Sequence, residues 1–441
     1  MSTLSVTPPR SRATISPPPM ALVITVVHNP EDSRIRQRQI AALVAAGWQI
    51  TYAAPFRAFG LDLPSESVEV GSGTLCCIDV PRAQGRDRIR AWHAARTVLR
   101  SLGSDHDLVV VHDPELVLAA AGMGLTNLVW DVHEDPAAAL NVKSWMPVSL
   151  RGPGGAAWRR VERLAEHRHR LLLAEYAYQE RFRRWHPVVT NAVTVPQRVA
   201  PAGDDRVSYL GSVTMSRGCD IMIKVGRELR RRTNGAIRME VIGEAADGEA
   251  RQALEGAAVA GDLTWLGFLR SDRALDRVSG SLAGLCLLND LPNFRNSLPT
   301  KIIEYGALGV PVITTPLPMA AKIVSDDHLG LVVPWQDPGA VVDAILRLRS
   351  DQALRLRLGT NGHRAALRDH DWTRLSSDFV KLMGALVDQV RADAGESAGR
   401  AHSGEPNVIN GEAKGSRPIL RTGSSGSGPR PRDLYTPGGR R

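Results

Sequence analysis

Short apolar runs alternate with amphipathic segments along most of the chain, and this alternation limits the fold more than any other feature. The first run, ALVITVV (21–27), is apolar at every position except Thr25. Such continuous runs are typical of strands that are covered on both faces, as in parallel sheets. In the first half, strands are predicted at 21–27, 48–54, 74–80, 107–113, 128–134, 171–175 and 187–195, with helices at 32–46 and 158–170.

The alternation starts again after PQRVAPAGDDR (196–206), which has the Pro, Gly and Asp content of a linker. In the second half, strands are predicted at 207–213, 237–243, 264–269, 283–290, 310–315 and 329–334, with helices at 221–232, 337–349, 352–368 and 373–392. Two successive series predict an α/β protein with two doubly wound, Rossmann-like domains that face each other across a cleft.

The predicted domain boundaries follow from this pattern. The first Rossmann-like domain spans 20–195, the linker spans 196–206, and the second domain spans 207–370. A C-terminal helix at 371–393 is expected to pack back toward the first domain. The segments 1–19 and 394–441 are rich in Pro, Ser, Gly and Arg and hold little to bury, so both are predicted to be disordered tails.

Charge and composition exclude several classes of protein. Residues 1–20 hold two arginines and no acid, and residues 394–441 hold eight basic and four acidic residues, so the two ends carry +6 of the net charge of +9. The remaining +3 is too little for a nucleic-acid-binding domain. No apolar run approaches the roughly 18 residues of a membrane span. The four cysteines lack metal-ligand spacing and are interpreted as reduced thiols in a cytoplasmic protein.

The turn GSVTMSRG (211–218) follows a predicted strand and opens a predicted helix. Small residues such as Gly211 let backbone N–H groups approach an anion, and Arg217 adds a full positive charge. The turn therefore favours phosphate binding, although an ordinary strand-to-helix turn is an equal alternative. It is not a dinucleotide fingerprint, because the G-x-G-x-x-G spacing is absent, which argues against an NAD-dependent dehydrogenase.

The stretch NSLPTKIIEYGALGVPVITT (296–315) places charges on an otherwise apolar helix. Pro299 suits the first turn of a helix, where its missing N–H costs nothing. Lys301 and the unpaired N–H groups of that turn can face a diphosphate, and Glu304 one turn later can accept two hydrogen bonds from a ribose diol. The alternative is local pairing of Glu304 with Lys301 three residues earlier.

Taken together, these motifs resemble glycosyltransferase family 4, retaining enzymes of the GT-B fold. NSLPTKIIEYGALGVPVITT resembles the nucleotide-sugar motif of that family, and YLGSVTMSRG (209–218) resembles its phosphate loop. Further similar segments, in the same order as in the family, are HNPEDSRI (28–35), VHDPEL (111–116), WDVHED (130–135) and VVTNAV (188–193). The resemblance covers about residues 20–385.

The resemblance implies a nucleotide-sugar site in the second domain and an acceptor site in the first. Gly211, Arg217 and Lys301 would hold the diphosphate, and Glu304 would hold the donor ribose. His112 and Asn296 would lie beside the donor sugar. The side chains implied on the acceptor side are Asp32, Arg34, His133 and Glu134.

The implied activity is retaining transfer from a nucleoside diphosphate sugar, with a UDP-sugar favoured, to a glycan or lipid-linked acceptor. No metal or other cofactor is expected, because the cations can neutralise the leaving diphosphate. Three departures leave alternatives open: Asn296 replaces a glutamate, Ser212 replaces an arginine, and His28-Asn29-Pro30 stands in place of two glycines. The alternatives are an epimerase-like enzyme on the same fold and an inactive nucleotide-sugar-binding homologue.

A basic amphipathic helix at 158–170 and the segment RFRRWH (181–186) predict possible peripheral contact with an anionic membrane, where a lipid-linked acceptor would be found. The alternative is a solvated helix face.

Overall fold

The computed structural model describes residues 17–64, 67–140, 147–295 and 297–403. The apolar runs of the first half form a seven-stranded sheet in the order β3-β4-β2-β1-β5-β6-β7. Its strands are β1 (Met20–Ile24), β2 (Gln49–Ala54), β3 (Val68–Val70), β4 (Gly73–Asp79), β5 (Leu108–Val111), β6 (Leu128–Val132) and β7 (Arg170–Leu173). All pairs are parallel except the edge pair of β3 and β4, which is antiparallel. The short strand β3 was not predicted.

The second half forms a six-stranded parallel sheet in the order β10-β9-β8-β11-β12-β13. Its strands are β8 (Arg206–Leu210), β9 (Arg238–Ile242), β10 (Thr264–Trp265), β11 (Ala283–Cys286), β12 (Val312–Thr314) and β13 (Gly330–Val332). Several strands end earlier than the apolar runs predict. The run at 283–290 pairs with neighbouring strands only as far as Cys286. Leu287 and Leu288 are buried as well, but they lie beyond the end of the strand, so the apolar run is longer than the strand.

The helices fall between the strands, as a doubly wound fold requires. A π-helical turn (Ile35–Ile40) leads into α1 (Ala41–Ala45). The other helices are α2 (Arg88–Leu102), α3 (Pro114–Ala119), α4 (Pro136–Leu140), α5 (Val148–Arg168), α6 (Cys219–Thr233), α7 (Gly248–Val259), α8 (Ser271–Val278), α9 (Pro292–Arg295), α10 (Thr300–Ala307), α11 (Pro318–Asp326), α12 (Pro338–Ser350), α13 (Gln352–Asp369) and α14 (Trp372–Ser403).

The strand predicted at 187–195 is wrong. This segment makes only isolated bridges, Leu173 with Val188 and Val193 with Asp371. Its side chains Ala192, Val193 and Val195 are nevertheless buried. The segment pairs with Leu173 at one position and with Asp371 at another, so it is buried without forming a continuous strand. Apolar content alone cannot distinguish a buried strand from a buried irregular segment.

The last helix, α14, packs on the first sheet. Phe379, Met383 and Val387 belong to the same apolar cluster as Val23 and Ile50. The helix continues to Ser403, beyond the predicted start of the tail at residue 394. The remainder of the predicted tails, residues 1–16 and 404–441, lies outside the described residues.

The strand order determines which loops meet at the carboxyl ends of the strands. In the first sheet β1, β5 and β6 are neighbours, so the loops that carry His28, His112 and His133 lie side by side. In the second sheet β8 lies between β9 and β11, so the turn that begins at Gly211 adjoins the segment that leads to α10. Ligands of doubly wound sheets bind at such points.

Helix α10 is fixed to the second sheet through Tyr305, a fully buried side chain. Its hydroxyl accepts a hydrogen bond from the backbone N–H of Leu210 (2.8 Å) and donates one to the carbonyl of Leu285 (3.2 Å). The ring lies against Gly284, where an added Cβ would come within 2.4 Å of Tyr305 Cγ. Glycine at this position therefore sets how closely the helix approaches β11.

Gly284→Ala is expected to lower the free energy of unfolding by about 1–3 kcal/mol, because the new methyl group displaces the Tyr305 ring. Urea unfolding followed by circular dichroism measures the change. The matched control is Gly256→Ala in α7, where an added Cβ meets no atom within 4 Å. That variant should be neutral or more stable by up to about 1 kcal/mol. Equal stability of the two variants would show that Gly284 does not set this distance.

Candidate active site

The turn after β8 approaches the end of β9 very closely. Gly243 has a φ of +147°, and an added Cβ there would lie 2.0 Å from the carbonyl oxygen of Gly211. Gly211 itself has a φ of +112°. Side chains at these positions would strain the backbone or collide, so glycine brings the two strand ends together. The turn then reaches Arg217, whose guanidinium lies 5.9 Å from the ring centroid of Phe294.

Lys301 is a buried cation beside this turn. Its Nζ lies 3.6 Å from the ring centroid of Tyr209 and 3.7 Å from the position that a Cβ would occupy on Gly211. Nζ has no hydrogen-bond partner among the described residues. Burial, with a smaller contribution from the neighbouring Arg217, lowers the pKa of Lys301 to about 7. An anion placed here would supply the missing partner.

Glu304 follows Lys301 by one turn of α10 and lines the cleft. The local ion pair with Lys301, which the sequence left open, is not found between these two described side chains. Burial raises the pKa of Glu304, and Arg38 and Lys301 offset part of this rise. Because Glu304 lines the cavity, its carboxyl group can contact a ligand there.

Arg38, on the π-helical turn of the first domain, was not predicted as a site residue. It is 8% exposed, and its Nη1 has no partner within the described part of the chain. Burial lowers its pKa, while the charges of Glu304 and Asp32 raise it. Arg34 and Arg38 are four residues apart, and residues at this spacing lie on the same face of a helix. This spacing is the sequence signal that could have indicated that Arg38 is buried like Arg34.

The two halves enclose a cavity of about 870 Å³. The second half contributes Gly211, Glu244, Phe268 and Glu304 to its wall, and the first half contributes Asp32, Arg36, Phe56 and Phe59. Gly211 and Glu304 therefore face a common hollow with Asp32, whereas Arg217 and Lys301 lie outside its lining. Asp32 also accepts hydrogen bonds from the backbone N–H groups of Arg34 (2.8 Å) and Ile35 (3.0 Å).

Arg34 is engaged in a buried ion pair. Its Nε and Nη2 donate to Oδ2 (2.9 Å) and Oδ1 (2.8 Å) of Asp131, which also accepts from Gln39 (2.9 Å). Burial alone would raise the pKa of Asp131, but Arg34 and the nearby His112 hold it well below its usual value. A fully buried carboxylate is thus kept ionised by a bidentate partner.

His112 lies beside this pair at the end of β5 and is 1% exposed. Its Nδ1 lies 3.3 Å from Oδ2 of Asp131, but the two atoms are not aligned for a hydrogen bond. Neither ring nitrogen has a hydrogen-bond partner in the described ranges. Asp113, next in the chain, instead fixes the loop after β1 by accepting from the Thr25 hydroxyl (2.9 Å) and the Val27 N–H (3.2 Å).

His133 contacts a histidine that was not predicted as a site residue. Its Nε2 lies 2.9 Å from Nε2 of His28, and its Nδ1 lies 3.1 Å from the backbone oxygen of Asp131. Burial and the neighbouring His28 hold the pKa of His133 well below its usual value. Burial also opposes charge on His28, but Asp113 and Asp32 outweigh it and raise its pKa. Glu134, the next residue after His133, is exposed. Asn296 lies outside the described residues.

Glu175 connects the two halves and was also not predicted. It follows β7, is 7% exposed, and accepts a hydrogen bond from the N–H of Leu298 (3.3 Å), in the segment that leads into α10. Burial raises its pKa to about 7, although the Leu298 N–H and the Arg34 charge act against this rise.

The basic segment predicted to contact membranes is partly engaged in ion pairs. Arg159 on α5 pairs with Asp135 and Glu162, each at 2.7 Å. Trp185 is 75% exposed. Among the described residues, no helix combines the length and apolarity that crossing a bilayer requires.

Comparisons with known proteins match parts of this chain to glycosyltransferases. Residues 204–351 match the model of the family described as Glycosyl transferases group 1. Alpha-D-kanosaminyltransferase of Streptomyces kanamyceticus is 32% identical over 164 residues, which cover 36% of this chain and 40% of that protein. The matched segments cover between 21% and 48% of the length of the curated relatives.

Solved structures match over most of the chain. Sucrose-phosphate synthase from Thermosynechococcus elongatus superposes with a TM-score of 0.63 at 17% identity, over 86% of this chain and all of that one. HepE of Anabaena, solved in complex with UDP and glucose, superposes with a TM-score of 0.61 at 12% identity, over 83% of this chain and 99% of that one. The predicted fold class and the resemblance to GT-B glycosyltransferases are confirmed.

The raised pKa of Glu175 predicts a pH-dependent stability. Between about pH 5 and about 7 the folded protein keeps a proton on this carboxyl that the unfolded chain has lost, so stability falls as pH rises. The Glu175→Gln variant lacks this proton. The stability of the wild type relative to the variant should therefore fall by up to about 3 kcal/mol between pH 5 and 8.

Denaturant unfolding at intervals of pH measures this difference. Glu255→Gln is the matched control, because Glu255 is exposed on α7. Its stability difference from the wild type should not vary with pH over the same range. A constant difference for Glu175→Gln would show that Glu175 is ionised throughout.

Proposed function

We propose that this chain, a GT-B protein with a match to group 1 glycosyltransferases over residues 204–351, is a retaining glycosyltransferase. It transfers a sugar from a nucleoside diphosphate sugar, UDP-sugar by preference, to a glycan or lipid-linked acceptor, without a metal. The observation that carries the proposal is the buried, unpartnered Nζ of Lys301 one turn from a carboxylate that lines the cleft. The UDP and glucose bound by HepE support the donor class.

The second domain provides the groups that such a donor needs. Arg217 and Lys301 stabilise the negative charge that grows on the diphosphate as the bond to the sugar breaks. Gly211 allows the phosphates to approach the backbone, and Glu304 accepts hydrogen bonds from the ribose hydroxyls. These charges perform the role that a metal ion has in other transferases.

The first domain orients the sugar and the acceptor. His112 offers its Nε2, which has no hydrogen-bond partner among the described residues, to the sugar, while its Nδ1 faces Asp131 at 3.3 Å. The ion pair of Arg34 and Asp131 fixes its surroundings. The acceptor hydroxyl attacks the anomeric carbon from the side of the leaving group. The carbon–oxygen bond to the diphosphate breaks, the new glycosidic bond forms, and the acceptor proton passes to the diphosphate. Asp32 lies on the acceptor wall of the cavity.

Lys301→Ala and Glu304→Gln are each expected to weaken UDP-sugar binding or turnover at least tenfold, because each removes a charge that faces the donor. Calorimetry and a coupled transfer assay measure the two effects, and circular dichroism verifies the fold. Lys322→Ala is the control, since Lys322 is exposed and pairs only locally with Asp326 (2.6 Å). Full activity of both site variants would refute the assignment.

The same assays distinguish the alternative functions. Donor binding without transfer to any acceptor would indicate the inactive homologue, and conversion of the donor sugar without acceptor would indicate an epimerase.

The lowered pKa of Lys301 gives a second test. Above about pH 7 the side chain is largely neutral in the unliganded protein, and a bound diphosphate stabilises its charged form. Binding of a UDP-sugar should therefore take up a proton and weaken as pH rises from 7 to 9. Calorimetry in two buffers of different ionisation enthalpy measures the uptake. The Lys301→Met variant should lose it, and an equal uptake in that variant would assign the proton to another group.

A cytoplasmic location with peripheral contact to anionic lipid through the exposed Trp185 region is part of this proposal, and flotation with anionic vesicles measures the contact.

A further inference from the structure

Two histidines face each other at the carboxyl edge of the first sheet, where the family pattern has glycines instead of His28. Nε2 of His28 and Nε2 of His133 are 2.9 Å apart. Atoms that could serve as ligands on His28, His133 and Glu134 all lie within 4.8 Å of one another. None of these contacts is needed for the donor chemistry described above.

The Nδ1 atoms of His28 and His133 face away from the close pair of Nε2 atoms, and each has a polar neighbour. Nδ1 of His133 lies 3.1 Å from the backbone oxygen of Asp131, an acceptor, so Nδ1 carries the hydrogen and Nε2 presents its lone pair. Nδ1 of His28 has Oδ2 of Asp32 at 4.0 Å. His133 thus has the orientation of a metal-ligating imidazole, whose distant N–H is directed at a carbonyl. For His28 the Asp32 carboxylate lies beyond hydrogen-bond distance and favours the corresponding N–H only through its charge.

We propose that His28, His133 and Glu134 form a site for a divalent transition-metal cation of the zinc type. Two imidazoles and one carboxylate are a donor set that Zn²⁺ accepts, with water as a fourth ligand. Two nitrogens on one tetrahedral zinc lie about 3.3 Å apart, so the present separation needs only a small adjustment. When the ion binds, His28 in its imidazolium form releases the Nε2 proton to solvent, keeps the hydrogen on Nδ1, and binds the metal through the Nε2 lone pair.

The surrounding charges favour the His28, His133 and Glu134 site over the second possible grouping of metal ligands nearby. The charge of the ion is balanced by Glu134 and by Oδ1 of Asp113, which lies 3.3 Å from His28 Nε2. The other grouping, His112 with Asp131 and His133, is less suitable because Arg34 and Gln39 already occupy the Asp131 carboxylate. The exposed Glu134 also leaves a path from solvent to the first set.

The ion would join two loops that the sheet holds apart. His28 follows β1 and His133 follows β6, and these strands flank β5, whose loop carries His112. A metal at this point would bridge the loops on either side of His112. It lies in the first domain, outside the cavity lining, and takes no part in binding the diphosphate, so the site and the proposed transfer activity can fail independently.

The test is equilibrium dialysis of the full chain against Zn²⁺, with Mg²⁺ as the comparison. One tight Zn²⁺ equivalent is expected, with a rise in melting temperature, and no effect of Mg²⁺, which prefers oxygen ligands. His28→Ala and His133→Ala should each weaken Zn²⁺ binding at least tenfold. Glu134→Gln, an exposed position that does not endanger folding, should weaken it about tenfold.

The matched control is His93→Ala, an exposed histidine on α2, which should bind like the wild type. With Co²⁺ in place of Zn²⁺, the visible absorption of a tetrahedral site should be present in the wild type and absent in His28→Ala. The proposal is overturned if the wild type binds no more Zn²⁺ than the His28→Ala and His133→Ala variants do. It is also overturned if Glu134→Gln and His93→Ala bind equally well.

Discussion

The hydroxyl of Tyr305 is the contact on which the donor side of the cleft depends. It joins α10 to the end of β8 through Leu210 and to β11 through Leu285, so the helix cannot rotate or slide without breaking two buried hydrogen bonds. Lys301 and Glu304 lie on the same short helix. The placement of Lys301 beside Gly211 and of Glu304 at the cavity wall therefore depends on a side chain, Tyr305, that lies outside the cavity lining.

Several charged or polar atoms near the cleft are buried without hydrogen-bond partners among the described residues, including Lys301 Nζ, Arg38 Nη1 and His112 Nε2. Burying each of these atoms lowers the stability of the folded protein, because the atom loses its hydrogen bonds to water and gains none in the protein. Such groups are rare in native proteins, and a catalytic or ligand-binding role is one reason for keeping them. A ligand that satisfies several of them at once regains this free energy on binding.

The sequence predicted the parts of the site that are local. Pro299, Lys301 and Glu304 are within six residues, so helical spacing alone places the charges on one helix near its first turn. Arg38 and Glu175 were missed because their roles arise from contacts across the cleft, which no spacing reports. The strand at 187–195 was wrong for a related reason: apolar residues indicate burial, and only the neighbouring segments decide whether a ladder forms. The ion pair of Arg34 and Asp131 joins residues 97 apart, and nothing in either segment identifies its partner.

The last helix covers a face of the sheet that the first residues of the chain build. Phe379, Met383 and Val387 complete the apolar layer over Val23 and Ile50, although more than three hundred residues separate them. During synthesis on the ribosome this layer would remain open to water until the final segment has left the exit tunnel. The N-terminal half would then need protection from aggregation throughout translation, and chaperones that bind nascent chains would have an apolar surface to recognise.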